Sequence, residues 1–242
     1  MKVRKFLPVF WIIFLCVFLN SCDHNNTSNT IKGDGNVVSQ EKAASGFHSV
    51  TLDGGCNVNI HHAENFKVVV TTDSNIQDTI TVNVNESILY INQKSDTNIH
   101  VTVLYADVYM PALKNINLKG IGDIKIVDGK TSNFEIVLSG GGNIDAQDFE
   151  AENVSVTLSG IGDVRVWATK NLTALLSGGG NIDAQKYETE NVSVTLSGIG
   201  DIRVWVTKSL TGILSGGGNI FYKGNPATIN INNTGIGNVT KM

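Results

Sequence analysis

The sequence has no excess of positive charge and few cysteines. Its 18 lysines and arginines are outnumbered by 22 aspartates and glutamates, which gives a formal net charge of −4. Nucleic acid is therefore not an expected partner, because nucleic-acid-binding domains carry a basic surface. The three cysteines form no metal-binding cluster with histidine. No phosphate-binding loop and no catalytic-triad spacing occurs either. We therefore predict no cofactor, no metal site, no catalytic residue and no enzyme activity.

Long apolar segments are also absent, except for one at the N-terminus. Phe6–Leu19 follows a basic start, and at ~1.5 Å per helical residue it is too short for a bilayer core of ~30 Å. It ends at "LNSC", which resembles a bacterial lipobox. We predict that residues 1–21 are a lipoprotein signal peptide and that Cys22 becomes lipidated. A general secretory signal or an uncleaved anchor is the alternative.

Residues 22–30 contain no apolar residue that could be buried, and this composition predicts a polar tether. A lipidated Cys22 implies a cell-envelope protein, anchored to the periplasmic or the surface-exposed leaflet of the outer membrane. Asp23 resembles the inner-membrane retention signal of enterobacteria, so the sequence does not decide the membrane. Cys56 is then the only free thiol of the mature chain, which excludes an internal disulfide.

No stretch has a helical period, and the second half of the chain is a repeat instead. The unit that begins "LSGGGNIDAQ" at Leu138 returns at Leu176, and a degraded copy begins at Leu214. Each unit contains a half-repeat, Gly-x-Gly followed by Asp or Asn. Its seven copies begin at Gly120, Gly140, Gly160, Gly178, Gly198, Gly216 and Gly235. A period of about 20 residues indicates stacked units.

Each half-repeat alternates apolar and polar residues in two short segments, which predicts two half-buried strands. A propeller is the alternative, but it needs about four or more blades. In a solenoid, residues one coil apart are neighbours at ~4.8 Å. The outward residues of one strand alternate in sign, as expected for such neighbours. They are Lys125, Asp145, Arg165, Asp183 and Arg203.

These patterns predict an all-β fold, a single-chain β-solenoid of about seven two-stranded coils over residues 116–242. One inward column is Ile124, Ile144, Val164, Ile182, Ile202 and Ile220. Another is Leu138, Leu158, Leu176, Leu196 and Leu214. Residues 31–115 are less regular and β-rich, with a hairpin turn expected at Asn85–Glu86. This portion is expected to cap one end of the stack, since a bare end exposes unpaired strand edges.

The repeats "GIGDI" and "GGGNI", the lead-in "GDGNVV…FHSVTLDGGCNVNI" and the lipobox together resemble one bacterial family. It is the putative auto-transporter adhesin head, or GIN, domain family. The resemblance covers roughly residues 31–242 and implies an extracytoplasmic β-helical protein, in many members a lipoprotein. It supplies no catalytic residues to assign.

The candidate residues for contact with a ligand or partner are Trp167, Trp205, Arg165 and Arg203. By alternation they share one outward face, and the two tryptophans are ~9.6 Å apart along the stack. An aromatic pair at this spacing suits a glycan, and exposed aromatics are also typical of protein interfaces. Plain packing of the tryptophans and a simple charge ladder for the arginines are the alternatives.

The preferred function is a non-catalytic, lipid-anchored adhesin or envelope scaffold whose repeated surface residues add weak contacts by multivalency. Its partners are the membrane through the lipid anchor, a glycan or a cell-surface protein, and a homo-oligomer is a further option. A carbohydrate-active enzyme on the same scaffold is the alternative. A deep groove with clustered, unpaired carboxylates favours the enzyme, and a flat face with paired charges favours binding.

Overall fold

The computed structural model describes residues 29–94 and 97–242, so the predicted signal peptide and Cys22 lie outside the described residues, as does nearly all of the tether. The described chain is almost entirely β-structure, with one short 3₁₀ turn at Gln77–Thr79. No helix in this part of the chain is long and apolar enough to cross a membrane.

The strands of the N-terminal portion are β1 (Asn29–Lys32), β2 (Val37–Lys42), β3 (Ser49–Asp53), β4 (Asn57–His62), β5 (Lys67–Asp73), β6 (Ile80–Asn85), β7 (Ile88–Gln93), β8 (Thr97–His100) and β9 (Leu104–Met110). Those of the repeats are β10 (Asn115–Leu118), β11 (Ile124–Ile126), β12 (Lys130–Leu138), β13 (Ile144–Asp145), β14 (Glu150–Leu158), β15 (Val164–Arg165), β16 (Asn171–Leu176), β17 (Ile182–Leu196), β18 (Ile202–Leu214), β19 (Ile220–Lys223), β20 (Thr228–Asn233) and β21 (Val239–Lys241).

The repeats form a β-solenoid with two parallel ladders, as predicted. The long-strand face stacks β10, β12, β14, β16, the second halves of β17 and β18, and β20. The short-strand face stacks β11, β13, β15, the first halves of β17 and β18, β19 and β21. The stack has about six turns, one fewer than predicted. Seven Gly-x-Gly motifs enclose six complete turns, which accounts for the difference.

The predicted inward columns are confirmed. Every residue of the isoleucine/valine column from Ile124 to Ile220 and of the leucine column from Leu138 to Leu214 is at most 1% exposed. Both columns belong to one continuous core that runs from the N-terminal portion to the last coils. Burial of each such side chain contributes about 1.5–3 kcal/mol, which makes this core the main source of stability.

Parallel stacking already begins in the N-terminal portion. β3 pairs with β10 and β4 pairs with β11, so these two strands form a coil of the same kind. Antiparallel strands follow on both faces: β6 pairs with β7 next to β3, and β2 pairs with β5, which pairs with β9 next to β4. The predicted hairpin is present, but its loop is Glu86–Ser87 rather than Asn85–Glu86, because Asn85 pairs with Ile88.

The Gly-x-Gly turns form one edge of the solenoid, which we call the glycine edge. A Cβ at Gly160 would overlap the carbonyl oxygen of Gly140, and one at Gly162 would overlap that of Gly142. Only glycine allows the backbones of successive turns to approach this closely. The residue between the two glycines has its side chain in solvent, and at Ile161 it is 74% exposed.

The residue after each Gly-x-Gly belongs to a hydrogen-bonded series that we call the Asx ladder. Asn143 donates both its backbone and its side-chain amide to Asp123, and its own side-chain oxygen accepts the backbone amide of Asp163. The same pattern continues through Asn181, Asp201, Asn219 and Asn238. An aspartate side chain only accepts, whereas an asparagine side chain both donates and accepts, so each aspartate of the ladder has asparagines as its neighbours.

Candidate functional site

The four predicted contact residues lie on the short-strand face, and the register of their strands is confirmed. Lys125 pairs with Asp145, Asp145 with Arg165, Arg165 with Asp183, and Asp183 with Arg203. Arg165 forms an ion pair with Asp145 at 3.9 Å. Both side chains are more than a third exposed, and such pairs contribute at most about 1 kcal/mol.

Arg203 makes contacts that differ from those of Arg165. Its Nη2 donates to Oδ2 of Asp201 at 2.6 Å, and Asp201 is the residue that precedes β18. Its guanidinium carbon lies 5.3 Å from the centre of the Phe221 ring. In the next coil Phe221 replaces the aspartate of the column, so the charge alternation ends here and a cation–π contact replaces it.

Trp167 is half-buried and lies two residues after the end of β15. Its ring centre lies 4.5 Å from that of Tyr187, with the two planes tilted by 44°. Within the described part of the chain, its buried Nε1 has no hydrogen-bond partner. A buried indole N–H without an acceptor is uncommon in folded proteins.

Tyr187 extends this aromatic contact and was not predicted from the sequence. Lys186 Nζ lies 5.2 Å from the Tyr187 ring centre and 3.1 Å from Oδ1 of Asp148, two coils away. The hydrogen bond to Asp148 raises the pKa of Lys186. A signal for this cluster exists in the repeat, because "KYETE" in one copy replaces "DFEAE" in the other.

Trp205 is also half-buried, and it lies beside a groove of about 570 Å³. Lys223 Nζ is 5.8 Å from its ring centre. The groove is also lined by Glu188, Thr207, Gly224, Asn225 and Met242. An aromatic wall beside a cation and polar side chains is a combination typical of ligand sites.

These contacts lie in neighbouring coils, and we call the residues that make them the aromatic strip. Its members are Trp167, Tyr187, Trp205, Phe221, Lys186, Arg203 and Lys223. The structure thus brings three of the four predicted residues, Trp167, Trp205 and Arg203, into this strip. Arg165 shares the face and pairs with Asp145 instead.

The carboxylates of this face are engaged by the protein itself. Asp145 accepts the backbone amide of Gln147, and Asp183 accepts both the backbone and the side-chain amide of Gln185. In the described residues, no group of three or more His, Cys, Asp or Glu side chains could hold a metal ion. Cys56 is buried, and burial raises the pKa of its thiol to about 12, which makes it a poor nucleophile.

A second groove, of about 420 Å³, lies on the long-strand face. Phe134 and Val154 form its apolar part, and Glu135, Ser155 and Thr173 surround them. Along one side runs a ladder of asparagines in which each side-chain amide donates to the oxygen of the coil before it. Its members are Asn133, Asn153, Asn171 and Asn191. These amides are already paired with each other, so this groove has fewer free donors than the aromatic strip.

The chain was compared with known proteins. The model of the family described as "Putative auto-transporter adhesin, head GIN domain" matches residues 46–226. No curated protein sequence matches.

Several solved structures resemble the chain. A putative adhesin from Bacteroides fragilis has a TM-score of 0.82 at 24% identity, and a putative lipid binding protein from Parabacteroides distasonis has 0.72 at 23%. A putative adhesin from Parabacteroides distasonis has 0.71 at 20% identity. Each alignment covers 88% of this chain and 100% of the other. At such identities the similarity establishes the fold.

Proposed function

The chain belongs to the putative auto-transporter adhesin, head GIN domain family, and from this premise we propose that it is a lipid-anchored, non-catalytic adhesin. Membership in an adhesin family indicates an extracellular or cell-envelope protein. The anchor in this proposal is Cys22 at the end of the lipobox, which lies outside the described residues. Residues 23–30 then connect the lipid to β1 and β2.

The aromatic strip is the binding surface in this proposal, and a surface glycan is its ligand. The observation that carries it is Trp205, half-buried beside a groove with Lys223 over its ring. Sugar rings stack on such indole faces, while a lysine and an asparagine supply donors for hydroxyl or carboxylate groups.

A polysaccharide-active enzyme, the alternative from the sequence, requires two carboxylates free to act on either side of a scissile bond. The pairing of Asp145 with Arg165 and of Asp183 with Gln185 supports the binding role instead. Their repetition in a ladder also differs from the special environment of a catalytic acid and base.

The test is binding of the chain to a glycan array and to intact host-cell glycans. The Trp205→Ala variant is expected to lose binding by about fivefold or more, since stacking on an aromatic ring typically contributes about 1 kcal/mol. Leu175→Ala is the matched control, because Leu175 is an exposed apolar residue of the opposite face. Equal binding by the wild type and Trp205→Ala contradicts the proposal. Binding only to protein receptors replaces the glycan with a protein partner.

A further inference from the structure

Among the large apolar side chains of the described residues, the four most exposed form one column on the glycine edge. They are Ile121 at 73% exposure, Ile161 at 74%, Ile199 at 81% and Ile236 at 91%. Each lies between the two glycines of its turn, and consecutive isoleucines are two coils apart. At ~4.8 Å per coil this spacing is ~9.6 Å. Aligned exposed side chains of this size mark an interaction surface more often than scattered ones do.

Glycines occupy the same column in the coils between the isoleucines. Bridges pair Gly55 with Ile121, Ile121 with Gly141, Gly141 with Ile161, and Ile161 with Gly179. Beyond these bridges, backbone hydrogen bonds between successive turns continue the series toward the C-terminal end of the stack. The full column, which we call the Ile/Gly column, is Gly55, Ile121, Gly141, Ile161, Gly179, Ile199, Gly217 and Ile236. It therefore presents a projection and a gap in strict alternation.

The gaps between the isoleucines can accept a side chain. No atom lies within 4 Å of the place where a Cβ of Gly141 would stand. At Gly217 the atoms nearest to such a Cβ position are those of Ile199 and Ile236, at 3.8–3.9 Å. Glycine therefore forms the bottom of this gap, and apolar side chains form its two sides. An isoleucine that enters such a gap contacts apolar groups on both sides.

The column begins with glycine, ends with isoleucine and alternates between them. A second copy turned end to end therefore places a glycine opposite each isoleucine. We propose that the Ile/Gly column is a contact between two copies of this chain, antiparallel and related by a two-fold axis between Ile161 and Gly179. Every isoleucine of one copy then enters a gap of the other. The facing positions are Ile121 with Gly217, Ile161 with Gly179, Ile199 with Gly141, and Ile236 with Gly55. Such an isologous contact is closed, so it yields a dimer and no filament.

The flanking Asx ladder is compatible with the same arrangement. The Asx ladder runs beside the column, and its aspartates alternate with asparagines at the same two-coil period. Under the proposed two-fold axis, every aspartate faces an asparagine. The facing positions are Asp123 with Asn219, Asp163 with Asn181, Asp201 with Asn143, and Asn238 with Asn57. An axis parallel to the stack would instead bring isoleucine against isoleucine, and it would place the Asx ladder against the opposite flank of the column.

The other flank of the column does not block the approach. The residue before each Gly-x-Gly is a serine in five of the seven turns, and these serines are exposed. The contact zone is ~34 Å long and about 13 Å wide, roughly 450 Å² per copy in projection. This is smaller than the ~800 Å² per partner of a typical stable interface, so the dimer is weak and reversible.

The test uses sedimentation velocity of the full chain in mild detergent, with Cys16→Ser and Cys22→Ser so that only the buried Cys56 remains. We expect a concentration-dependent dimer. Ile199→Ser should raise its dissociation constant by at least about tenfold, because one isoleucine is lost from each copy. Gly141→Ile should weaken it as well, since it fills the gap that faces Ile199. Gly141 has no positive φ and no close neighbour, so this change does not disturb the fold.

The glycine variant separates this proposal from a general apolar patch. A patch that binds membranes or other proteins becomes more apolar with Gly141→Ile, and increased association would overturn the proposal. Disulfide formation gives the register. A mixture of Gly141→Cys and Ile199→Cys chains should cross-link to each other, and neither should cross-link with itself. Self-cross-linking of Ile199→Cys would indicate the parallel arrangement and would overturn the proposal, as would a monomer at all concentrations without cross-links.

Discussion

The carboxylate of Asp163 accepts two hydrogen bonds from Asn181, the backbone amide at 3.0 Å and the side-chain amide at 2.8 Å, both to Oδ1. Asp163 itself donates its backbone amide to Asn143 in the coil before. One residue thus connects three consecutive coils. Because the acceptor and the donor alternate, the smallest unit that can be copied without a mismatch is two coils. This accounts for the 38-residue period between Leu138 and Leu176.

The Asx ladder is expected to contribute measurably to stability. Asp163→Ala removes the acceptor of two donors of Asn181 and should lower the free energy of unfolding by about 1–3 kcal/mol. Asp163→Asn keeps an acceptor oxygen at the same place and is the matched control, with a smaller effect. Urea unfolding monitored by circular dichroism measures both. Equal loss in the two variants would attribute the effect to charge rather than to the hydrogen bonds.

The glycine edge should tolerate substitution at one position of the motif and not at another. Gly160→Ala places a methyl group onto the carbonyl oxygen of Gly140, a backbone atom that cannot move aside cheaply. We expect a loss of about 2–4 kcal/mol, the range of severe packing defects. Gly141→Ala meets no atom within 4 Å and should be close to neutral. Thermal unfolding of the pair decides this, and similar melting temperatures would refute the close stacking of the turns.

Asp73 should make the N-terminal portion sensitive to acid. Its buried carboxylate accepts the backbone amide of Thr102 at 2.7 Å, the hydroxyl of Thr102 and the backbone amide of Gly35. The bond from the Thr102 amide is the main reason why the pKa of Asp73 lies below its ordinary value of 3.8. A lowered pKa in the folded state means that this stabilisation is complete above pH 3.8 and is lost as the pH falls through the lower value.

The comparison that tests this is wild type against Asp73→Asn. The variant should be less stable at neutral pH, and the difference in free energy of unfolding should shrink as the pH falls below 3.8. Urea titrations from about pH 6 down to about pH 2 supply the data. A difference that is constant over this range would show that Asp73 acts through its shape and not through its charge.

The stacking of the repeats was predictable because the sequence combines two periods, the two-residue alternation within each strand and the repeat of about 20 residues. The alternation of apolar and polar residues identifies the inward side of each strand, and the repeat identifies its neighbour, so columns such as Val164–Ile182 follow directly. The N-terminal hairpin has no repeat to assist. There asparagine favoured a turn at Asn85, yet the pairing of Val82 with Ile91 and of Val84 with Leu89 sets the register one residue later.

Tyr187 was not predicted because the two copies of its segment have different neighbours in the structure. Its counterpart Phe149 is buried, packs on Phe134 and lies against Gly129, a neighbour that leaves room for a ring. Tyr187 instead meets Trp167 and is 42% exposed. The exposed part of the candidate site therefore depends on which residue the preceding coil presents, and strand alternation does not contain this information.

The alternation along the glycine edge also restricts how the molecule can change its length. Removal of a single coil that carries asparagine and glycine would bring aspartate next to aspartate and isoleucine next to isoleucine at the junction. Removal or insertion of a pair of coils leaves every junction as it was. The length of this solenoid is therefore expected to change in steps of about 10 Å, the rise of two strands. The number of copies of one unit then sets that length.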